Sequence, residues 1–379
     1  MAATAHPPRK TPYLALQLSL LGLFGLVGLL VLLVLIGETG GLLPFLLGSV
    51  ASVLPVPVYV ALILWIDRHE KEPGWLLLAT FLWGCTVALL LSYIFNTLLA
   101  AILQALLGPL WATRITFSVV TPLVEETAKG LALLGMALAV RDEFDNLTDG
   151  LVYGALVGLG FGVAENVLYL GRAFKAGGVA GLTVLFFARV MLLGLMHSIW
   201  TGCTGAGLGY ARERGGAARF LAPVAGYVGA VFLHALWNSA NVGLEAAVGQ
   251  RALLLAPVLF GVILLPGILV LGTLAYLCER REREVVRSHL LDLVTSGELS
   301  EEALRAVASR EKGRRLWRAW AQKGPSGWLA LRQFYDALAE LAFARWRVAQ
   351  GRPPGVAEEE LRGKIRSLRE RVRALGLEG

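Results

Sequence analysis

Eight stretches of this chain are each long and apolar enough to cross the hydrocarbon core of a bilayer, and that feature most narrows what it can fold into. A helical crossing takes about 20 predominantly apolar residues, whereas a barrel strand takes only about 9–11. Inside lipid the backbone must satisfy its own hydrogen bonds, which a helix does within one segment. The windows run over residues 14–36, 44–66, 75–103, 115–140, 150–171, 179–209, 220–246 and 252–278. Pro55 and Pro57 interrupt the second, and the third and sixth are long enough to tilt or kink. The expectation is an all-α, polytopic transmembrane bundle of about eight spans. The first window, Leu14–Ile36, is longer than a signal-peptide core and no A-x-A site follows it, so it reads as an uncleaved span.

Charge divides the chain. Only 17% of its residues are charged, against roughly a quarter in a soluble domain, and 36 of the 63 Asp, Glu, Lys and Arg residues follow Leu277. We therefore expect a membrane domain over 1–278 and a soluble helical, cytoplasmic tail over 279–379. The net charge of +7 lies almost wholly in that tail, which suits contact with anionic lipid or a cytoplasmic partner. No basic stripe with interleaved stacking aromatics is present, so nucleic acid is not an expected partner. Cys85, Cys203 and Cys278 sit in or beside apolar segments without metal-site spacing and read as small core residues. With eight spans, one set of loops carries Arg9, Lys10, Arg68, Lys71, Arg141, Arg212, Arg214, Arg219 and the basic run from Arg280, and the other only Arg114, Arg172, Lys175 and Arg251. The positive-inside rule then puts both termini in the cytoplasm. No strong internal repeat of the kind transporters show is visible.

After Glu279, Leu290, Leu293, Val294, Leu299, Leu304 and Val307 recur at amphipathic spacing. Gly324-Pro325 and Pro353-Pro354 divide the tail into about three helical pieces. Trp317, Trp320, Trp328, Phe334, Tyr335 and Trp346 suit either a small core or a membrane surface.

An ionisable residue inside a span is costly and marks a functional site by default. Four places break the apolar rule. Glu125, Glu126 and Lys129 share the fourth span, with Lys129 four and three residues from the carboxylates, so it can pair with either. One ammonium cannot neutralise both, which leaves a carboxylate to hold a proton or a cation; the plainer alternative is a structural ion pair. In the fifth span, Phe161, Glu165 and Asn166 follow Gly154, Gly158, Gly160 and Gly162, whose small size admits a close neighbour. Arg189 and His197 lie in the sixth, and His234 and Asn238, one turn apart, in the seventh. A histidine inside a span is more often a satisfied core residue than a ligand, but two of only five histidines here are mid-span.

Depth brings these residues together. At about 1.5 Å per residue, Glu125 and Glu165 lie about 15 and about 10 Å below the outer surface. His234 lies about 16–21 Å above the inner end of its span by the same rise. All fall in one central-to-outer band of a core about 30 Å thick. Carboxylates, two histidines and an asparagine suit activation of water: a carboxylate as general base, histidine to orient the water, Asn or His to donate to an oxyanion. His197, His234 and one of Glu125, Glu126 or Glu165 would also suit a divalent metal such as zinc, although H-E-x-x-H is absent. The cofactor expectation is therefore none or one such ion.

The order E-E-x-x-K, F-x-x-x-E-N, a span with Arg and His, and H-x-x-x-N resembles the PrsW family of intramembrane proteases, within the superfamily of the type II CAAX prenyl proteases. The residues that carry the resemblance are Glu125, Glu126 and Lys129; Phe161, Glu165 and Asn166; Arg189 and His197; and His234 and Asn238. The loop from Asp67 to Pro73 and Asp149-Gly150 also fit, so the resemblance covers about 55–278. It implies cleavage of membrane-anchored proteins in a bacterial inner membrane, an anti-sigma factor being one such substrate. By analogy Glu125 or Glu126 is the general base, His197 positions water, and His234 and Asn238 stabilise the oxyanion, with Glu165 beside them and Lys129, Phe161, Asn166 and Arg189 in support. The competing readings are a proton- or ion-coupled transporter, a non-catalytic binder of membrane proteins, and an enzyme for prenylated peptides.

Overall fold

The computed structural model describes residues 13–66, 72–249, 256–309, 311–351 and 356–377, and every regular element among them is helical. The 67–71 part of the Asp67–Pro73 loop, the start of the last predicted span and Pro353-Pro354 lie outside the described residues, as do Arg9, Lys10 and Arg251. The chain forms two compact units, one built up to Trp65 and over Glu72–Gly272, the other from Thr273 onward.

In the first unit, α1 (Leu14–Thr39) is followed by α2 (Leu42–Val53) and α3 (Val56–Leu64). The second predicted span is interrupted where expected, between Val53 and Val56, because Pro55 cannot supply the amide that would continue α2. Next come α4 (Gly74–Trp83) and α5 (Leu89–Ile115), joined by a π-turn over Gly84–Ala88. A second π-turn over Thr116–Val120 leads into α6 (Thr121–Ala139). The long α7 (Leu147–Leu185) continues through a third, Phe186–Leu192, to α8 (Met196–Glu213) and α9 (Ala218–Val248). After α10 (Ala256–Leu259) and a π-turn comes α11 (Leu265–Thr295).

Among the described residues, five helical segments are long and apolar enough to cross a membrane, or six if the bent pair around Ile263 is one span. The number is below eight because Gly74–Ala139 and Leu147–Glu213 each hold two predicted windows. Those segments are interrupted at Gly108 (φ 78°) and Gly178 (φ 60°). Only glycine takes such a φ without steric cost, and Pro109 reinforces the first break.

α7 is the hub, with nearly every residue from Thr148 to Val167 buried. Its glycines explain how. Added methyls at Gly150, Gly154 and Gly158 would meet backbone atoms of Gly205, Thr201 and His197 on α8, and one at Gly160 would meet the Phe81 carbonyl on α4. This small-residue seam admits α8 to backbone contact. The start of α7 is fixed by a capping box: Asn146 Oδ1 accepts from the Thr148 and Asp149 amides (2.7 and 3.1 Å), and Asp149 accepts from the Asn146 amide (3.1 Å). The Asp149-Gly150 pair is therefore a cap followed by a contact residue of the seam.

The second unit is a small apolar core around Val286, Leu290, Phe334, Tyr335, Leu338 and Ala342. It is built by the end of α11, α12 (Glu301–Val307), α13 (Glu311–Ala349), which breaks at Gly324 (φ 63°), and α14 (Glu358–Ala374). Of the aromatics, Phe334 and Tyr335 are buried in this core, while Trp317 and Trp320 are exposed.

Candidate active site

The polar residues singled out above come from four helices and one π-turn. Glu125, Glu126 and Lys129 occupy the second and third turns of α6, which follows the Thr116–Val120 π-turn. Glu165 and Asn166 lie on α7, Arg189 in the Phe186–Leu192 π-turn, His197 in the first turn of α8, and His234 on α9. π-turns recur at functional sites because they re-aim side chains. The sixth predicted window is not one continuous helix: it breaks over Leu193–Leu195, which places His197 at a helix start.

Lys129 is wholly buried at the centre. Its ammonium donates to Glu126 Oε1 (2.8 Å), Glu125 Oε2 (3.4 Å) and His197 Nδ1 (3.1 Å), and lies 3.8 Å from the Phe161 ring centroid. The aromatic face supplies the one side of this cation that no acceptor covers.

Glu126 is fully held. It accepts from Lys129, from Thr201 Oγ1 (3.1 Å) and from His234 Nδ1 (3.0 Å). Among the described residues Glu125 pairs closely only with Lys129, with His234 Nε2 3.9 Å away, and it lines an adjoining cavity. Glu165 accepts from His197 Nε2 (2.9 Å) and from Arg189, which also donates to Asn166 Oδ1 (2.8 Å) and stacks over Tyr169 at 3.6 Å.

These partners fix both imidazole tautomers. His197 receives a proton donor at Nδ1 and donates from Nε2; His234 donates from Nδ1, which leaves its Nε2 lone pair toward Glu125. Trp200 stacks on His234 with centroids 4.1 Å apart and stands edge-on to His197 at 4.9 Å.

Nine of the ten sequence-derived residues thus form one connected cluster. Asn238 stands apart: its amide donates to the Phe117 carbonyl (3.0 Å). Three contributors were not anticipated, Thr201, Trp200 and Tyr169. The signal was spacing, since Thr201 is one turn from His197 and Tyr169 one turn from Glu165. Trp200 carried the same signal, three residues from His197 on α8.

Glu125, His197 and His234 each offer a ligand atom within 4.8 Å of the others, and all three are buried. Two imidazoles and a carboxylate are the donor set of hydrolytic zinc sites, and the lone pairs of His234 Nε2 and His197 Nδ1 are on the side of Glu125 or Lys129 rather than spent on carbonyls. The residues fit a divalent cation, which would compete with the Lys129 ammonium for Glu125 and His197.

A buried glutamate–histidine cluster assembled from four helices of an apolar bundle defines the class as a multi-pass membrane protein with an intramembrane polar site. Residues 72–303 match the PrsW family intramembrane metalloproteases, and the chain belongs to that family. The match begins later than the resemblance suggested, at Glu72, and runs past 278 into α12. The chain is 33% identical over 104 residues to Protease PrsW of Geobacillus kaustophilus (strain HTA426). That stretch spans 27% of this chain and 43% of the relative. No solved structure gives a significant match.

Proposed function

We propose that the protein is an intramembrane peptidase that cuts membrane-anchored proteins with water activated by Glu125. The observation that carries this reading is the contrast between the two adjacent carboxylates. Glu126 is spent on three donors, whereas Glu125 has one close partner and borders a cavity. A general base needs that freedom to meet water.

In this reading Glu125 takes a proton from water as the oxygen attacks the scissile carbonyl. His234 Nε2, 3.9 Å from Glu125, relays that proton to the leaving nitrogen, so the C–N bond breaks as the new C–O bond is retained. His197, held by Lys129 and Glu165, positions the water. The Lys129 ammonium is the nearest fixed positive charge for the oxyanion. Asn238 serves as the expected oxyanion donor only on releasing Phe117. A divalent ion held by Glu125, His197 and His234 would polarise the water and lower its pKa.

Family membership supports hydrolysis over proton-coupled transport for these charges. The loop charges support an inner-membrane location with both termini cytoplasmic. The exposed Trp317 and Trp320 on a basic tail support contact with anionic lipid. A regulator such as an anti-sigma factor is a substrate of the fitting kind.

The test compares the N-termini of membrane proteins in cells carrying wild type or Glu125→Gln at equal abundance. New N-termini within or beside single spans, present only with wild type, are expected. Identical sets would sink the peptidase reading.

A further inference from the structure

A cavity of about 160 Å³ lies among α1, α5 and α7, with Glu125 and Glu165 in its wall. Its flanks are largely apolar, Val34 of α1 and Leu90 of α5 among them. On α5 that lining turns polar over Ser92, Tyr93, Asn96 and Thr97. Ser92 is 3% exposed, and Asn96 stands one turn further along the same face. Ser92 Oγ and Asn96 Oδ1 are both buried without a hydrogen-bond partner among the described residues.

Neither group is idle by necessity. Hydroxyls nearby are quenched on the carbonyl four residues back, as Thr86 is on Leu82 (2.7 Å) and Thr97 on Tyr93 (2.7 Å). Ser92 makes no such bond. Buried polar groups left unpaired in a folded protein call for a ligand or solvent that pairs them.

We propose that Ser92 and Asn96 bind the unwound backbone of a substrate's membrane span, and that the cavity beside them receives one small or medium apolar side chain next to the bond that is cut. This rests on the peptidase reading above. In a helical substrate the carbonyls are already bonded within the helix, so one reaches Glu125 only after local unwinding. Unwinding frees N–H and C=O groups where lipid cannot satisfy them. The Ser92 hydroxyl donates to a freed carbonyl, and the Asn96 side-chain carbonyl accepts from a freed amide. The cavity volume suits a side chain of valine or leucine size.

The test uses the full chain in proteoliposomes with single-span reporter proteins that differ only in carrying Ala, Leu or Trp at successive positions of the span. A photo-crosslinking residue is installed at Leu90, or at the exposed Leu98 as control, in the Glu125→Gln protein. Crosslinks to the reporter from position 90 and not from 98 are expected, reduced about tenfold by Ser92→Ala with Asn96→Leu, in line with one hydrogen bond's net worth. In the cleaving enzyme the same pair lowers kcat/KM about tenfold or more, and Val34→Phe shifts preference from Leu to Ala reporters. Position 90 crosslinking no better than 98 overturns the subsite, as does cleavage with unchanged kcat/KM and preference in both variants. Crosslinking at 90 without any cleavage by wild type leaves the subsite standing and overturns the peptidase reading.

Discussion

The Lys129 ammonium lies 3.1 Å from His197 Nδ1, across 68 residues of chain. A lysine so placed forces His197 to present a lone pair there and its N–H to Glu165 at 2.9 Å. One cation therefore sets the tautomer of a histidine, neutralises Glu126 and restrains Glu125.

Replacing it leaves two buried carboxylates unpaired. Breaking a buried pair in this way costs about 3–5 kcal/mol. Lys129→Met is expected to be inactive and to unfold at markedly lower temperature in a detergent thermal-shift measurement. An unchanged midpoint would show that Lys129 is not the keystone of the cluster.

Position 158 tests the seam that delivers His197. A side chain there would strike the His197 carbonyl, and overpacking costs about 1–3 kcal/mol even where neighbours can shift; backbone cannot. Gly158→Leu is expected to abolish activity and lower the yield of folded protein. Gly135→Leu, at a glycine with open space around it, is the control expected to retain both.

The Glu125, His197 and His234 donors make a metal prediction. Calorimetric titration of purified protein with zinc is expected to show one site that Glu125→Gln and His234→Ala each weaken and that Asn238→Ala leaves intact. Equal binding by all four proteins would remove the cluster as the ion's site.

The arrangement was legible in part. The eight apolar windows foretold helices because length and composition suffice for that. The number of continuous segments was not legible, because Gly108 and Gly178 bend helices without ending them as hydrogen-bonded runs. Glu125, Glu165, His197 and His234 stood out because charge in a span is expensive. What distinguishes Glu126, locked by Thr201 and His234, from Glu125 depends on contacts 75 and 108 residues away. Asn238 was drawn in by its spacing from His234, yet one helical turn along α9 takes it to Phe117.

The tail offers a pH test outside the membrane. Arg345 bonds Asp292 (2.7 Å) and Glu358 (2.9 Å). Partial burial, the largest single influence, pushes the Asp292 carboxyl up, but the bond and charge of Arg345, the Leu293 amide and the Arg362 charge together outweigh it and hold the group below its usual value; at Glu358 the Arg345 bond is the main cause of the same lowering. Groups with lowered pKa stabilise the fold above their unfolded values, and the gain fades as pH falls through the folded ones. Arg345→Ala is therefore expected to destabilise the tail at pH 7 and to match wild type in strong acid, below the ordinary carboxylate range. Intrinsic tryptophan fluorescence of the full chain reads this. A difference that persists undiminished in acid would mean that Arg345 acts by packing.

The most direct measurement is the cleavage rate of a single-span reporter in proteoliposomes by wild type, Glu125→Gln and Glu126→Gln, each inserted to the same level. Loss of a general base costs about 10²–10⁴ in rate. The account predicts that loss for Glu125→Gln, together with an unchanged thermal midpoint, and a lowered midpoint for Glu126→Gln, whose carboxylate ties three helices together. Cleavage by Glu125→Gln at the wild-type rate would contradict it.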